Sequence, residues 1–290
     1  MATTWPVRSA WMALTPGRVR ILAYHGVEDL DKFERAVDRI CERFTPVSGS
    51  DIARALNGGG TLPRHAVWFT FDDGLATTLA AGEMLANHGI SATVFVNPAT
   101  MERPGRLWFQ TVDEASRAGL ISTEESERFS HGRLKRIPDA ERRLETAVLE
   151  ARLTGREDVR ESLTGTLDDL NRWVSLGHEI GNHTWDHPCL DQCSRDEQED
   201  QIRRAHEWFV SRGLNPQYFA YPNGDWIDHS AAVARDLDYV GSVLFDHRLA
   251  NLRADQHRLS RLRINSDASI PRVDAILSGA HSGAYALMRS

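Results

Sequence analysis

The 290-residue chain carries 34 Lys and Arg against 41 Asp and Glu, a formal net charge of -7, with 41% hydrophobic and 26% charged residues. That balance excludes a disordered or fibrous chain and, in the absence of any Lys/Arg-rich block, argues against nucleic acid as a partner. Three cysteines, Cys41, Cys189 and Cys193, are too few and too odd in number for a disulfide framework; they read as free thiols in a reducing compartment.

Residues 1–14 read as an extension ahead of a single domain at 15–285. The stretch at 9–17, bracketed by Arg8 and Arg18, is too short and too polar for a signal segment or a membrane span. A cytoplasmic protein with no integral membrane segment is therefore expected. Trp5, Trp11 and Met12 are expected to pack on their own domain. Apolar runs then recur at residues 19–24, 66–71, 92–96, 178–181, 218–221, 239–245 and 259–264. Between them, stretches such as 31–44, 75–88 and 195–212 place apolar residues three and four apart, as a half-buried helix does. Alternating strands and helices predict an α/β architecture on a parallel sheet. From 101 to 176 the strand signal gives way to charged helical sequence, read as an insertion that either covers the domain or shapes a cleft.

Ligand sites of parallel α/β folds form at the carboxyl ends of the strands, where loops converge without disturbing the core. There the chain places His25, then Asp72-Asp73-Gly74, then His183-Thr184-Trp185-Asp186-His187, then Pro222-Asn223-Gly224. His183 and His187, four apart, bring two imidazoles to one side of a turn, within reach of one ion. A carboxylate from another strand end completes a triad of two histidines and one acid with positions left open for water and substrate. Asp73 is the best candidate. A competing role for either aspartate is capping the helix expected to begin near Leu75, but two carboxylates directly after an apolar strand, combined with the histidine pair, favour the metal site. Histidine and carboxylate donors suit Zn2+ first, with Co2+, Ni2+ or Fe2+ as other divalent ions of the same class.

Thr70-Phe71-Asp72-Asp73-Gly74, followed by His183-Thr184-Trp185-Asp186-His187, resembles the first two motifs of the polysaccharide deacetylase (NodB-homology, carbohydrate esterase family four) proteins. The resemblance runs from about residue 20 to about residue 263 and implies a distorted (β/α) barrel of about seven parallel strands, interrupted by the helical insertion. It further implies Asp72 as general base and Asp73 as a metal ligand beside His183 and His187. Tyr221-Pro222-Asn223-Gly224 resembles the third motif, which implies the Asn223 backbone N–H as an oxyanion donor and Tyr221 as a substrate contact in the cleft.

Two positions depart from the family pattern. Ala220 stands where many members carry an arginine paired with the catalytic aspartate; Arg261 resembles the replacement seen in members sharing the Tyr-Pro-x-Gly turn, and a plain surface ion pair is equally open. No Leu-x-x-His motif closes the chain, since neither His257 nor His281 fits it. Leu22-Ala23-Tyr24-His25-Gly26 instead resembles members with circularly permuted motif order, which implies His25 as the general acid on the first strand. A histidine held structurally by hydrogen bonds is the alternative. Among the tryptophans, Trp226 is the one singled out as a sugar-stacking platform; Trp68, Trp108 and Trp185 read as core.

The expected function is metal-dependent removal of an N-acetyl group from an acetylated amino sugar, either a saccharide or an activated or lipid-linked precursor. Two other readings share these residues: a deformylase or other hydrolase of non-peptide linear or cyclic amides, and a silent saccharide-binding barrel. Because Asp72, Asp73, His183 and His187 are all present, the silent reading ranks last.

Overall fold

A computed structural model describes residues 17–279 apart from Pro104, His131 and Glu161. The extension at 1–14, with Trp5, Trp11 and Met12, and His281 lie outside the described residues. Among the described residues, eight strands form one sheet: β1 (Arg20–Tyr24), β2 (Thr45–Pro46), β3 (Ala66–Phe71), β4 (Thr93–Val96), β5 (Glu179–Asn182), β6 (Tyr218–Ala220), β7 (Gly241–Val243) and β8 (Leu262–Arg263). Their order is β7-β6-β5-β4-β3-β1-β8, all pairs parallel, with β2 a short addition beside β3. The sheet curls into a distorted (β/α) barrel. Its gap is spanned by residues 259–264: Leu259 exchanges hydrogen bonds of 2.9 and 2.8 Å with Ser242 and Leu244 at the β7 edge, and Ile264 donates 3.1 Å to Ala23 on β1. The run predicted as a strand at 239–245 thus contracts to three residues, and that at 259–264 to a two-residue strand plus this bridge.

Period-two alternation sorts the side chains into two apolar layers. Ile21, Trp68, Phe95, Tyr218, Ala220 and Val243, from β1, β3, β4, β6 and β7, meet inside the barrel. Leu22, Tyr24, Phe69, Phe71, Val94 and Val96 point outward beneath the helices Leu30–Cys41 and Gly82–Asn87. The expected helix at 75–88 is two short ones, Ala76–Ala80 and Gly82–Asn87. The barrel floor is closed by the helix Gly49–Leu56, whose first amides, Gly49 and Ser50, donate to the Glu179 carboxylate at 2.7 and 2.8 Å, a fixed anion on a helix N-terminus.

The insertion between β4 and β5 carries the helices Trp108–Arg117, Thr123–Ser130 and Asp139–Leu153. It has an apolar cluster of its own, Trp108, Val112, Ala115, Leu134, Leu149 and Leu153, which reaches the barrel through Cys189. The helix Leu167–Ser175 differs: Leu170 and Trp173 sit in the outer core of the barrel itself.

Candidate metal centre and its cleft

Strand register sets the site. Tyr24 is level with Phe71, and Val96 with Asn182, so His25, Asp72 and His183 emerge together at one end of the barrel. Parity then decides their direction. Ala66 and Trp68 face the interior, Thr70 follows in the same phase, and Asp72 continues it past the strand end. On β5, Gly181 faces the Phe95 ring, and a Cβ there would lie 2.3 Å from it; His183 is in the same phase. Outward Asn182 donates to Ile202 O at 3.0 Å and to the Tyr239 hydroxyl at 2.8 Å, which locks the strand end on the helix Arg195–Val210.

Asp73 Oδ1 lies 3.5 Å from His183 Nε2 and 3.5 Å from His187 Nε2, and the three donor atoms lie within 4.8 Å of one another, all on buried residues. Asp73 Oδ1 has no hydrogen-bond partner. An unsatisfied buried carboxylate oxygen is costly, and a tetrahedral ion with bonds of about 2.1 Å spaces its donors about 3.4 Å apart, so the residues fit a divalent cation. The tautomer agrees. His183 Nδ1 sits 2.8 Å from Ala220 O, a group that only accepts, so Nδ1 carries the proton and the Nε2 lone pair faces Asp73. Burial pushes the His187 imidazole down to about 3 and keeps it neutral. For His183 burial also opposes protonation, but a proton on Nε2 would face the Asp73 carboxylate, and that contact together with the charges of Asp72 and Asp73 raises the value; a bound cation competes with that proton. Asp73, Thr184, His187 and Asn223 all take positive φ (73°, 69°, 61° and 58°), and backbone strain of this kind concentrates where a site is held in shape.

Asp72 sits beside this triad, buried and clasped by Arg261. Nη1 and Nη2 of the guanidinium each donate 2.7 Å to one carboxylate oxygen, while Nη1 also reaches Thr70 Oγ1 at 3.0 Å and Nε reaches Leu244 O at 2.7 Å. Burial pushes the Asp72 carboxyl upward, but the Arg261 charge, the His183 charge and the Arg261 hydrogen bonds prevail and hold it below its ordinary value. Of the two readings of Arg261, the geometry is the buried aspartate clasp, reached from β8 in place of the Ala220 position. His25, on the end of β1, is 43% exposed, its Nε2 4.0 Å from Asp73 Oδ2 and its ring edge-on to Phe245 at 5.3 Å. β1, which ends just before His25, pairs with β8, which begins just after Arg261.

A cleft of about 490 Å³ opens over these groups, lined by His25, Asp72, Asp73, His183, His187 and Asn223. Six further wall residues were not foreseen: Phe109, Asp113 and Lys135 come from the insertion, and Phe245 with Arg263 and Asn265 from the β7 and β8 ends. The insertion therefore shapes the cleft. It also grips the metal loop: Trp108 Nε1 donates 3.0 Å to His187 O, Phe109 stands edge-on to the His187 ring at 5.1 Å, and Arg143 forks onto Asp186 at 2.6 and 2.8 Å. Arg263 and Asn265 share the parity of Arg261, so period two from that residue is a signal for them; Phe109, Asp113 and Lys135 left none.

Two expected substrate contacts are corrected. Tyr221 is fully buried in the outer layer against Phe219, its hydroxyl donating 3.0 Å to His257 O; its parity is opposite to that of Ala220, which faces the interior. Trp226 does not line the cleft but packs on the outer cluster of Leu190, Tyr221 and Leu244, its face covered by Arg258 at 4.1 Å. Trp68 donates 3.0 Å to Thr93 Oγ1 inside the barrel, and Trp185 is covered by Arg204 at 3.8 Å. Cys189 and Cys193 are free thiols, pushed up by burial to about 11 and about 12, and neither joins the donor triad.

Fold and site together define a (β/α) barrel with a two-histidine, one-carboxylate centre and a clasped second aspartate at the carboxyl ends of its strands. The chain belongs to the polysaccharide deacetylase family, whose model matches residues 59–242. His25 and Arg261 lie outside that match. In fold the chain is similar to the Streptococcus pyogenes deacetylase PplD in complex with acetate (20% identity, TM-score 0.64, 91% of this chain and 99% of that one). It is similar also to IcaB from Ammonifex degensii (17%, 0.62, 90% and 97%) and to the de-N-acetylase from Aggregatibacter actinomycetemcomitans (16%, 0.62, 89% and 99%).

Proposed function

We propose that this protein is a metal-dependent hydrolase that removes the N-acetyl group from an acetylated amino sugar. The observation that carries the reading is the pairing of two carboxylates with opposite environments: Asp73, unsatisfied and facing two imidazoles, and Asp72, clasped by a buried guanidinium. A divalent ion held by Asp73, His183 and His187, with zinc as first candidate, supplies polarisation of the amide carbonyl and acidification of a water. Asp72, kept ionised by Arg261, takes a proton from the water that attacks the acetyl carbon. His25 stands across the triad, exposed to the cleft, and delivers a proton to the departing amine, without which the nitrogen would leave as an amide anion. In this reading the Asn223 backbone N–H, from the turn at the cleft wall, donates to the developing oxyanion. The family, the fold shared with deacetylases and the donor set support this reading over a silent barrel, which would show a lost base or ligand.

The test is release of acetate from N-acetylglucosamine derivatives together with metal content, with and without chelator. Chelator-sensitive acetate release is expected, and Asp72→Asn is expected to lower kcat by at least a hundredfold while retaining stoichiometric metal. Bound metal without acetate, together with release of formate from the N-formyl counterparts, would move the substrate to a formyl amide.

A further inference from the structure

The helix Asp139–Leu153 of the insertion is apolar on two faces. Its inner face is packed: Leu149 and Leu153 join the insertion's own cluster, and the Arg142 guanidinium lies 4.9 Å over the Trp108 ring. Outward, at three- and four-residue spacing, the helix presents Ala140, Leu144, Ala147, Val148 and Ala151, all exposed. A 3.6-residue repeat gathers these five into one stripe along three turns. Of the four large hydrophobic residues exposed among the described ones, Leu144 at 72% and Val148 at 62% are the most exposed. Single apolar residues on a surface need no explanation, but a continuous stripe along a helix does.

The charges bordering the stripe identify what covers it. At 100° per residue, Glu141 and Arg152 fall along one border and Arg143 and Glu150 along the other. Glu145, turned further from the stripe, pairs with Arg133 of its own chain. Two copies of this helix packed antiparallel about a twofold axis set each border against the same border of the partner. A register centred between Thr146 and Ala147 then brings Glu141 level with the partner's Arg152, and Arg143 level with the partner's Glu150. Unlike charges thus meet along both borders in one register, which also lays Leu144 beside the partner's Val148. Glu141 already has Arg133 at 3.3 Å, Arg143 has Asp186 at 2.6 Å, and Glu150 accepts from Thr111 at 2.9 Å. The border charges therefore select the register, and the apolar stripe supplies the attraction. A lipid surface fits less well, because helices that lie on membranes are bordered by Lys and Arg and not by both signs.

We infer that the outer face of the helix Asp139–Leu153 is a twofold, antiparallel contact between two copies of this chain, centred on Leu144 and Val148. The inference is independent of the reaction catalysed. A helix about 22 Å long and about 10 Å wide offers less than the roughly 800 Å² per partner that stable complexes bury, so the dimer is reversible and depends on concentration.

The experiment is sedimentation velocity of the full chain from low to several hundred micromolar, compared with Leu144→Glu, Glu141→Lys, Arg152→Glu and the double exchange Glu141→Lys/Arg152→Glu. Because these positions are exposed, each variant is expected to keep its Tm. The native chain is expected to pass from monomer to dimer as concentration rises, and Leu144→Glu to raise the dissociation constant at least tenfold. Each single charge reversal is expected to raise it about tenfold, and the double exchange to return it to within about threefold of the native value, since both members of each pair are then reversed. A monomer at every concentration, a dimer indifferent to Leu144→Glu, or a double exchange no better than the single reversals overturns the inference. A monomer whose Tm falls in Leu144→Glu would show the stripe covered by another part of the chain, and Leu144-dependent binding of a monomer to anionic vesicles would show a lipid surface; both also overturn it.

Discussion

Asp72 and Arg261 form the most consequential residue pair in the molecule, because each is buried and each is the other's main compensation. Removing one partner of a buried pair costs about 3–5 kcal/mol, since the other charge is left alone in a poorly solvating environment. Arg261→Met is therefore expected to lower stability by that order, read from denaturant midpoints. It has a second effect on pH. In the native protein Arg261 holds Asp72 below its ordinary value against burial; without the guanidinium, burial prevails and the value rises. In the proposed mechanism activity depends on the ionised carboxylate, so the acid limb of the pH–rate profile is expected to move toward neutrality in Arg261→Met. A limb that stays in place would show that Asp72 is not the base. At the same scale, the donor triad was legible because a metal centre demands particular residue types, whereas the fate of Tyr221 was not. Its motif position said cleft, and strand parity beside inward Ala220 said outer layer.

At the scale of elements, β5 illustrates how a small residue makes room for a large one across the barrel. Gly181 takes the inward position opposite Phe95, where a Cβ would approach the ring to 2.3 Å. Gly181→Ala is expected to cost about 1–3 kcal/mol through overpacking, seen as a lower Tm, and to weaken metal binding, because His183 lies two residues on along the same face. Unchanged Tm would mean that Phe95 has room to move. In the insertion, Glu114 is buried and accepts 3.0 Å from Arg117 Nε and 2.8 Å from Arg160 N. The Arg117 hydrogen bonds, opposed by burial and joined by those of Arg160, bring its carboxyl down to about 2. A carboxyl lowered by folding contributes stability above its unfolded value, near 4.5, and loses it as pH falls through about 2. The stability gap between the native chain and Glu114→Gln is thus expected to be full at pH 7 and to close between about pH 5 and pH 2. A gap that does not change with pH would contradict the ion pair.

For the whole molecule, the donor triad ties two strand ends that are distant in sequence: Asp73 beyond β3, and His183 and His187 beyond β5, with the insertion gripping the latter loop. A ligand that binds only the folded chain stabilises it by mass action, about 2.7 kcal/mol at a hundredfold excess over Kd. Chelation is accordingly expected to lower Tm by about 5 °C or more, and Asp73→Ala to abolish the response to added Zn2+ while leaving a cooperative transition. A Tm indifferent to both chelator and metal would mean that the triad holds no ion.

Much of this molecule could be read without coordinates, for a physical reason. Buried parallel strands need unbroken apolar runs, so the runs at 66–71 and 92–96 marked β3 and β4 almost to the residue, and the chemistry at their ends needs acids and histidines that few other contexts explain. Those local demands determined the α/β class, the triad candidates and Asp72. The tertiary structure alone decided what depends on distance through space. Curling the sheet brought β8 beside β1 and so delivered Arg261 to Asp72 from 189 positions away. Packing the insertion on Cys189 turned Phe109, Asp113 and Lys135 into cleft walls. Parity, which flips the destiny of neighbours, sent Ala220 inward and Tyr221 out; no pattern of residue types encodes such pairings, because they arise only when elements with their own sound reasons to form are closed around one core.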